Sequence, residues 1–172
     1  EMIDVFSSAD LSRPSWTWCG HDHTADWWVR RMAHETLIHG VDASLAAGRS
    51  TPPESPLGAD GIDELLDEML AGAPDWAEIT PGNRTIAFQA EGRRWGLRTM
   101  TWTGTSTYSG KTYSDEPGLI ADPAEMPDTF VTADALDLDL WLWGRGDLVE
   151  EGISGHQSLV GYVRSVAAEA TQ

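Results

Sequence analysis

The residues with the clearest chemical potential are Glu35 and His39, which stand four positions apart in the stretch WWVRRMAHETLIHGVDASLAAG, residues 27–48. On an α-helix with about 3.6 residues per turn, side chains at this spacing lie on one face and reach a common point. A carboxylate oxygen and an imidazole nitrogen form a suitable partial ligand set for zinc or another divalent cation. Asp42 follows on the same face, where it is placed to fix the tautomer of the imidazole.

The same spacing also has an ordinary structural explanation. A Glu–His pair on a helix is commonly a weak ion pair on a solvated face, and Arg31 is expected to pair with Glu35 or Asp42. A metal site needs a third ligand, which the helix itself does not supply. The remaining candidates for that ligand in this sequence are His21, His23 and His156. The residues alone leave both explanations open.

The single cysteine, Cys19, lies in WTWCGHDH beside His21, which raises the alternative of a Cys–His nucleophile. A lone cysteine without a spaced partner is more often inert, and it excludes a disulfide within the chain. This cysteine usage is typical of a reducing compartment, so we expect a cytoplasmic protein.

Composition excludes several classes of partner. The chain has 28 Asp and Glu residues against 11 Lys and Arg residues, giving a net charge of −17. Such a field repels phosphate backbones and anionic lipid surfaces, so neither nucleic acid nor a membrane is an expected partner. No apolar run approaches the roughly 18 residues of a transmembrane helix, and the first ten residues do not resemble a signal peptide.

The pattern of apolar residues predicts helices in the first half of the chain. The first runs from about residue 24 to Ala47 and is closed by Gly48, and another lies within GIDELLDEMLAG, residues 61–72. Between them, the stretch at 49–61 is rich in Pro, Gly and Ser, which is typical of a linker or surface loop.

After Pro74 the composition changes, and β-branched and aromatic residues predict a hairpin of Arg84–Ala90 and Arg94–Thr103. A loop is expected over 109–128 and a short strand over 129–133. A helix is expected in ALDLDLWLWGR, with Leu136, Leu140 and Trp143 facing inward and a stop at Gly144, and a last helix over 156–170. The fold class is therefore α+β, with a helical part at 1–75 and a small α+β domain at 76–172.

The segment around Glu35 resembles the mycothiol-dependent maleylpyruvate isomerase family of actinobacteria. The family pattern R-x-A-x-E-x-x-x-H-x-x-D-A, followed by AAG, is matched in register by the residues from Arg31 to Ala43. Downstream, ALDLDLWLWGRGD is similar to the C-terminal dLLLwLwGR segment of the family, with Gly144 and Arg145 in place. The stretch GADGIDELLDEML between them also has the character of the family, whereas His156 stands where the family tends to have Asp.

This resemblance implies a DinB-like four-helix bundle followed by a sterol-carrier-like domain. It also implies zinc held by Glu35, by His39 and by a histidine of an earlier helix, which we expect upstream of residue 1. We therefore expect the chain to be a fragment holding the C-terminal half of the bundle at 1–75, with weakened metal binding. Apolar surface exposed by the missing helices would favour a homodimer.

The activity implied by the resemblance is that of a mycothiol-using isomerase or S-transferase. A metal-activated thiolate adds to an electrophilic small molecule, so the expected partners are that electrophile and a low-molecular-weight thiol. Arg145 matches a family position that suits a bidentate grip on a substrate carboxylate, although a salt bridge at a helix C-terminus explains it equally well. The alternative function is a non-catalytic binding or regulatory protein that keeps the fold with a lost or incomplete metal site.

Overall fold

The computed structural model describes residues 2–18, 22–49, 55–70 and 72–171. The chain divides into two compact units, residues 1–55 and residues 56–172. Helices and one five-stranded sheet make up the described structure, which confirms the predicted α+β class. None of the helices in the described ranges has both the length and the apolar character that a membrane crossing demands.

The first unit contains α1 (Met2–Ser8) and α2 (Ala25–Ala46). Helix α2 begins after Thr24, whose backbone is extended and whose amide donates to the Asp22 carboxylate at 2.9 Å. It ends before Gly48, which has a φ of +72° and so provides the left-handed conformation of a helix stop. The predicted helix and its glycine stop are confirmed.

The second unit is built on a sheet with the strand order β3-β2-β1-β4-β5. Strands β1 (Ala77–Ala90) and β2 (Arg93–Thr105) form an antiparallel hairpin around Glu91 and Gly92, which both have positive φ. Positive φ at both turn residues is the geometry of a type I′ turn, whose twist matches that of the strands. The predicted hairpin is confirmed, and both strands are longer than expected.

The other three strands are β3 (Thr112–Ala121), β4 (Thr129–Thr132) and β5 (Ile153–Gly155). The predicted loop over 109–128 is wrong at residues 112–121, where β3 pairs with β2, and the residues on either side of β3 are not in a strand or helix. Strand β3 is an edge strand, and an edge position tolerates Pro117, which lacks the N–H that a central strand would need. The short strand predicted at 129–133 is confirmed as β4, which runs parallel to β1.

In the described part of the second unit, three α-helices and a short 3₁₀ helix (Glu150–Gly152) accompany the sheet. Helix α3 (Gly58–Leu65) continues into a π-helical turn at Leu66–Leu70, and it is followed along the chain by α4 (Ala135–Leu142) and α5 (Gln157–Ala170). Gly58 allows the α3 backbone to touch α4, since an added Cβ would lie only 2.5 Å from the amide nitrogen of Leu136.

Because α3 packs on α4, it belongs to the unit that contains the sheet. The division between the compact units therefore falls at residues 55 and 56, whereas the sequence pattern alone placed the boundary near residue 75. The pattern identifies α3 as a helix but carries no information about which neighbour covers its apolar face.

Helix α4 contacts β1 through the rings of Trp141 and Phe88, whose centroids are 6.0 Å apart. Leu140 and Trp143 are buried as predicted, but Leu136 is only half-buried and Leu138 is fully buried. From Leu138 onward this short helix is buried on all sides, so the prediction of a single inward face is wrong mainly at Leu136. The most deeply buried apolar side chains of the second unit are Ile62, Leu65, Ala87, Leu119, Val131, Leu138, Val163 and Ala167.

Candidate functional site

Four ionisable side chains, those of Arg31, Glu35, His39 and Asp42, form a continuous line along α2. The Nε2 atom of His39 lies 3.0 Å from Oε2 of Glu35, and its Nδ1 atom lies 3.5 Å from Oδ2 of Asp42. The guanidinium of Arg31 pairs with the other oxygen of Glu35. The structure therefore brings together the residues that the spacing predicted, and Arg31 pairs with Glu35 as expected.

Exposure rises steeply along this line. The Arg31 side chain is 1% exposed, that of Glu35 is 35% exposed and that of His39 is 70% exposed. Arg31 is thus a fixed anchor that orients the Glu35 carboxylate, while the imidazole of His39 faces outward. Glu35 contacts the Nε2 atom of His39, and Asp42 contacts the other ring nitrogen, Nδ1. A carboxylate on the second ring nitrogen is the usual means of holding one tautomer of a metal-binding histidine.

The pair of Glu35 and His39 fits a divalent cation as two ligands of a larger set. In the described ranges, no group of three or more His, Cys, Asp and Glu side chains is arranged to hold a metal ion. Of the candidates for a third ligand, His23 is 2.9 Å from the hydroxyl of Thr17 through its Nδ1 atom, and His156 lies in the second unit. Cys19 and His21 lie outside the described residues, so their predicted roles stay predictions.

Tryptophans surround the start of α2. Trp18 meets Trp27 edge-on with 4.4 Å between ring centroids, and Trp28 lies 4.8 Å from Trp27 in the same manner. The indole N–H of Trp28 donates to the carbonyl of Trp16 at 2.7 Å, and Trp16 is 74% exposed. Trp28 lies one turn before Arg31 on α2, so this aromatic cluster is next to Arg31, the buried end of the line of side chains from Arg31 to Asp42.

In the second unit, the predicted site residue Arg145 lies directly after α4. The N–H of Gly144 donates to the carbonyl of Trp141 at 3.1 Å, and that of Arg145 donates to the carbonyl of Leu140 at 2.7 Å. With a φ of +94° at Gly144, this is a Schellman ending of the helix. The Arg145 guanidinium also donates to the carbonyl of Trp143, so the side chain lies at the C-terminus of α4.

Sequence reasoning missed a second arginine, Arg164 of α5. Its guanidinium carbon lies 5.5 Å from the ring centroid of Trp141, and its Nη1 atom is buried. Burial lowers the pKa of Arg164, the carboxylate of Asp147 opposes this shift, and the positive charge of Arg145 adds to it. The sequence feature that could have identified Arg164 is its helical spacing. It follows the buried Val160 by four residues and precedes the buried Ala167 by three, so it lies on the same face of α5 as these two residues.

A further polar cluster links the start of β4 to β1. The Asp128 carboxylate accepts the amide N–H of Thr85 at 2.8 Å, and Arg84 lies 3.8 Å from its other oxygen. The hydrogen bond from the Thr85 amide is the largest cause that lowers the pKa of Asp128, and the charges of Arg84 and His156 lower it further. The Nε2 atom of His156 also lies 3.4 Å from Nη1 of Arg84, so contacts within this cluster are a structural explanation for a histidine at position 156.

Comparison with known families identifies the second unit. The MDMPI C-terminal domain, named for mycothiol maleylpyruvate isomerase, matches residues 56–161. The chain belongs to this family. The MDMPI C-terminal domain starts with α3 and its match includes Gly144 and Arg145, while the segment containing Glu35 and His39 lies before it. No curated protein and no solved structure matches the chain.

Proposed function

We propose that the protein is a metal-dependent enzyme of the mycothiol-using isomerase and S-transferase class. The observation that supports this most strongly is the geometry at α2, where a carboxylate and an outward-facing imidazole lie 3.0 Å apart beside a second carboxylate. Membership of the MDMPI C-terminal domain family adds independent support from the other unit.

In this proposal, Glu35 and His39 hold a divalent cation, and zinc suits their mixed oxygen and nitrogen donors. The bound cation supplies one chemical effect, which is to lower the pKa of a low-molecular-weight thiol and provide a thiolate near neutral pH. Mycothiol is the proposed thiol, and a small electrophile is the proposed substrate.

The protein side chains then orient the reacting groups. Arg31 fixes the Glu35 carboxylate from the buried side, and Asp42 holds the His39 ring with one nitrogen directed toward Glu35. Arg145 provides a planar guanidinium for a carboxylate of the substrate. We assign Arg145 to substrate binding and no proton-transfer role to any of these residues.

A non-catalytic binding protein is the second candidate function. This candidate is favoured because the side chains from Arg31 to Asp42 already pair with one another. The positive charge of Arg31 balances the negative charge of Glu35, and His39 lies between the carboxylates of Glu35 and Asp42. The described ranges contain no group of three or more side chains arranged to hold a metal ion. Such a line is a sufficient structural explanation of the spacing on a helix. Metal affinity separates the two candidates.

The test measures the metal content of the purified protein. After zinc loading and dialysis, we expect about one zinc ion per chain, as in other three-ligand sites. The variants Glu35→Gln and His39→Gln should lose this zinc, whereas Asp26→Asn, a carboxylate change in the first turn of the same helix, should retain it.

Cobalt substitution extends the test to the thiol. Binding of mycothiol to the cobalt-loaded protein should produce a sulfur-to-cobalt charge-transfer band that the two site variants lack. Full zinc occupancy in both site variants, or no zinc in the reconstituted wild-type protein, would refute the enzyme proposal in favour of the binding protein.

A further inference from the structure

A groove of about 480 Å³ lies between α1 and α2 in the first unit. Most of its lining side chains are apolar, and they include Ile3, Phe6, Val29, Met32 and Ala33. Within the described ranges, no charged side chain lines this groove. Its size and apolar character are typical of sites that bind small organic molecules.

The two hydroxyl groups at the groove do not require a polar ligand. The hydroxyl of Thr36 donates to the carbonyl of Met32 at 2.7 Å, so it already has a partner within the helix, and Ser7 is exposed to water. Apolar walls are stabilised when an apolar group displaces water from them. The groove therefore favours a hydrocarbon group over a charged one.

The α1 side of the groove is exposed. None of the seven residues of α1 is buried, and the exposed fraction is 75% for Ile3 and 48% for Met2. Covering these side chains would remove apolar surface from water. Met2 and Met32 stand on opposite walls of the groove, and the flexible methionine side chain adapts to occupants of different shape.

The groove is continuous with the pair of Glu35 and His39. On α2, Met32 precedes Glu35 by three residues, and Thr36 precedes His39 by three. Side chains at this spacing are neighbours on a helix, with about 5–6 Å between their Cβ atoms. A molecule that contacts Met32 and Thr36 therefore lies beside the carboxylate and the imidazole of the candidate site.

We propose that this groove binds the hydrocarbon part of the electrophilic substrate, which places the reactive part of that molecule beside Glu35 and His39. The substrate class is thereby narrowed to electrophiles that carry an extended apolar chain or ring. A second copy of the chain suits the groove less well, because two chains with a net charge of −17 repel each other. The assignment to the substrate rests on the proposed function, but binding of an apolar group in the groove does not require a metal.

The experiment measures how 1-butanol, 1-hexanol and 1-octanol displace the neutral fluorescent probe N-phenyl-1-naphthylamine from the metal-free protein. We expect the affinity to rise by about two- to fourfold for each added methylene group. Octanoate should bind more weakly than 1-octanol, because the groove offers no positive charge to a carboxylate. In NMR spectra, 1-octanol should shift the ring signals of His39.

A matched pair of variants tests the location of the binding. Ala33→Phe fills the groove and should weaken 1-octanol binding by about tenfold, which corresponds to the loss of about two buried methylene groups. Ala43→Phe makes the same change at an exposed position of α2 outside the groove and should have no effect. Ile3→Ser alters a largely exposed wall residue, so it should weaken binding without a folding defect.

An affinity that does not depend on chain length, or that is unchanged in both Ala33→Phe and Ile3→Ser, would overturn the proposal. A dimer in sedimentation equilibrium that Ala33→Phe dissociates would assign the groove to a second copy, with the same consequence. Binding of 1-octanol that depends on Ala33 supports the groove as an apolar ligand site even where zinc binding proves absent. Zinc binding by a protein that does not bind 1-octanol would refute the groove site and leave the proposed function intact.

Discussion

Replacing Gly144 by alanine tests whether the backbone ending of α4 positions Arg145. Gly144 has a φ of +94°, and a Cβ added there would have no atom within 4 Å, so the substitution introduces strain without a clash. A left-handed conformation costs an L-residue about 1–2 kcal/mol. We therefore expect Gly144→Ala to lower the free energy of unfolding by about 1–2 kcal/mol.

Gly161→Ala is the matched control. Gly161 lies inside α5, has no positive φ, and has equally open space where a Cβ would stand, so only the backbone conformation distinguishes the two sites. Alanine is favoured over glycine in a helix interior by about 1 kcal/mol. The same chemical change should therefore destabilise the protein at one position and stabilise it at the other.

Urea unfolding followed by far-UV circular dichroism measures both effects. With a slope of about 1–3 kcal/mol per molar urea, the two midpoints should move in opposite directions by roughly 0.3–2 M. A neutral or stabilising effect of Gly144→Ala would show that α4 does not end in the left-handed conformation.

Two further predictions concern the second unit. Tyr162→Phe should lower the free energy of unfolding by about 1–3 kcal/mol. The lost hydroxyl accepts the N–H of Gly118, and its single O–H lies within hydrogen-bond distance of two carbonyls, those of Met100 and Gly118. Unchanged urea unfolding would contradict this expectation. Asp128 has a lower pKa in the folded protein than the ordinary value of 3.8, so its ionised form stabilises the fold at neutral pH. This stabilisation should be lost as the pH falls below 3.8 and through the folded-state pKa of Asp128. Asp128→Asn should therefore reduce the acid dependence of stability in pH-resolved urea unfolding, and an unaltered dependence would argue against the cluster with Thr85 and Arg84.

Features encoded in local sequence were predicted well. Helix α2 and its stop at Gly48 follow from apolar spacing and one glycine, and the turn at Glu91 and Gly92 follows from its position between two β-rich runs. The line from Arg31 to Asp42 is equally local, since helix geometry fixes which side chains are neighbours.

Features that depend on distant parts of the chain were missed. Strand β3 contains Pro117 and Gly118 and has little β-pattern of its own, but pairing with β2 at the sheet edge makes it a strand. The place of α3 beside α4 depends on Gly58, whose small size matters only because the α4 backbone approaches it. Arg164 was overlooked for the same reason, because its significance comes from Trp141 and Arg145 in another part of the chain.

The two residues of the Gly-Arg segment after α4 require different explanations. The Schellman ending needs the positive φ of Gly144, but from Arg145 it needs only a backbone N–H, which every residue except proline supplies. The ending of the helix therefore does not require an arginine at this position, and the hydrogen bond to the Trp143 carbonyl is within the reach of a lysine. The positive charge of Arg145 instead acts on another helix, where it adds to the lowering of the pKa of Arg164 that burial causes. The backbone conformation at Gly144 is thus fixed by the helix ending, whereas the choice of side chain at position 145 is not.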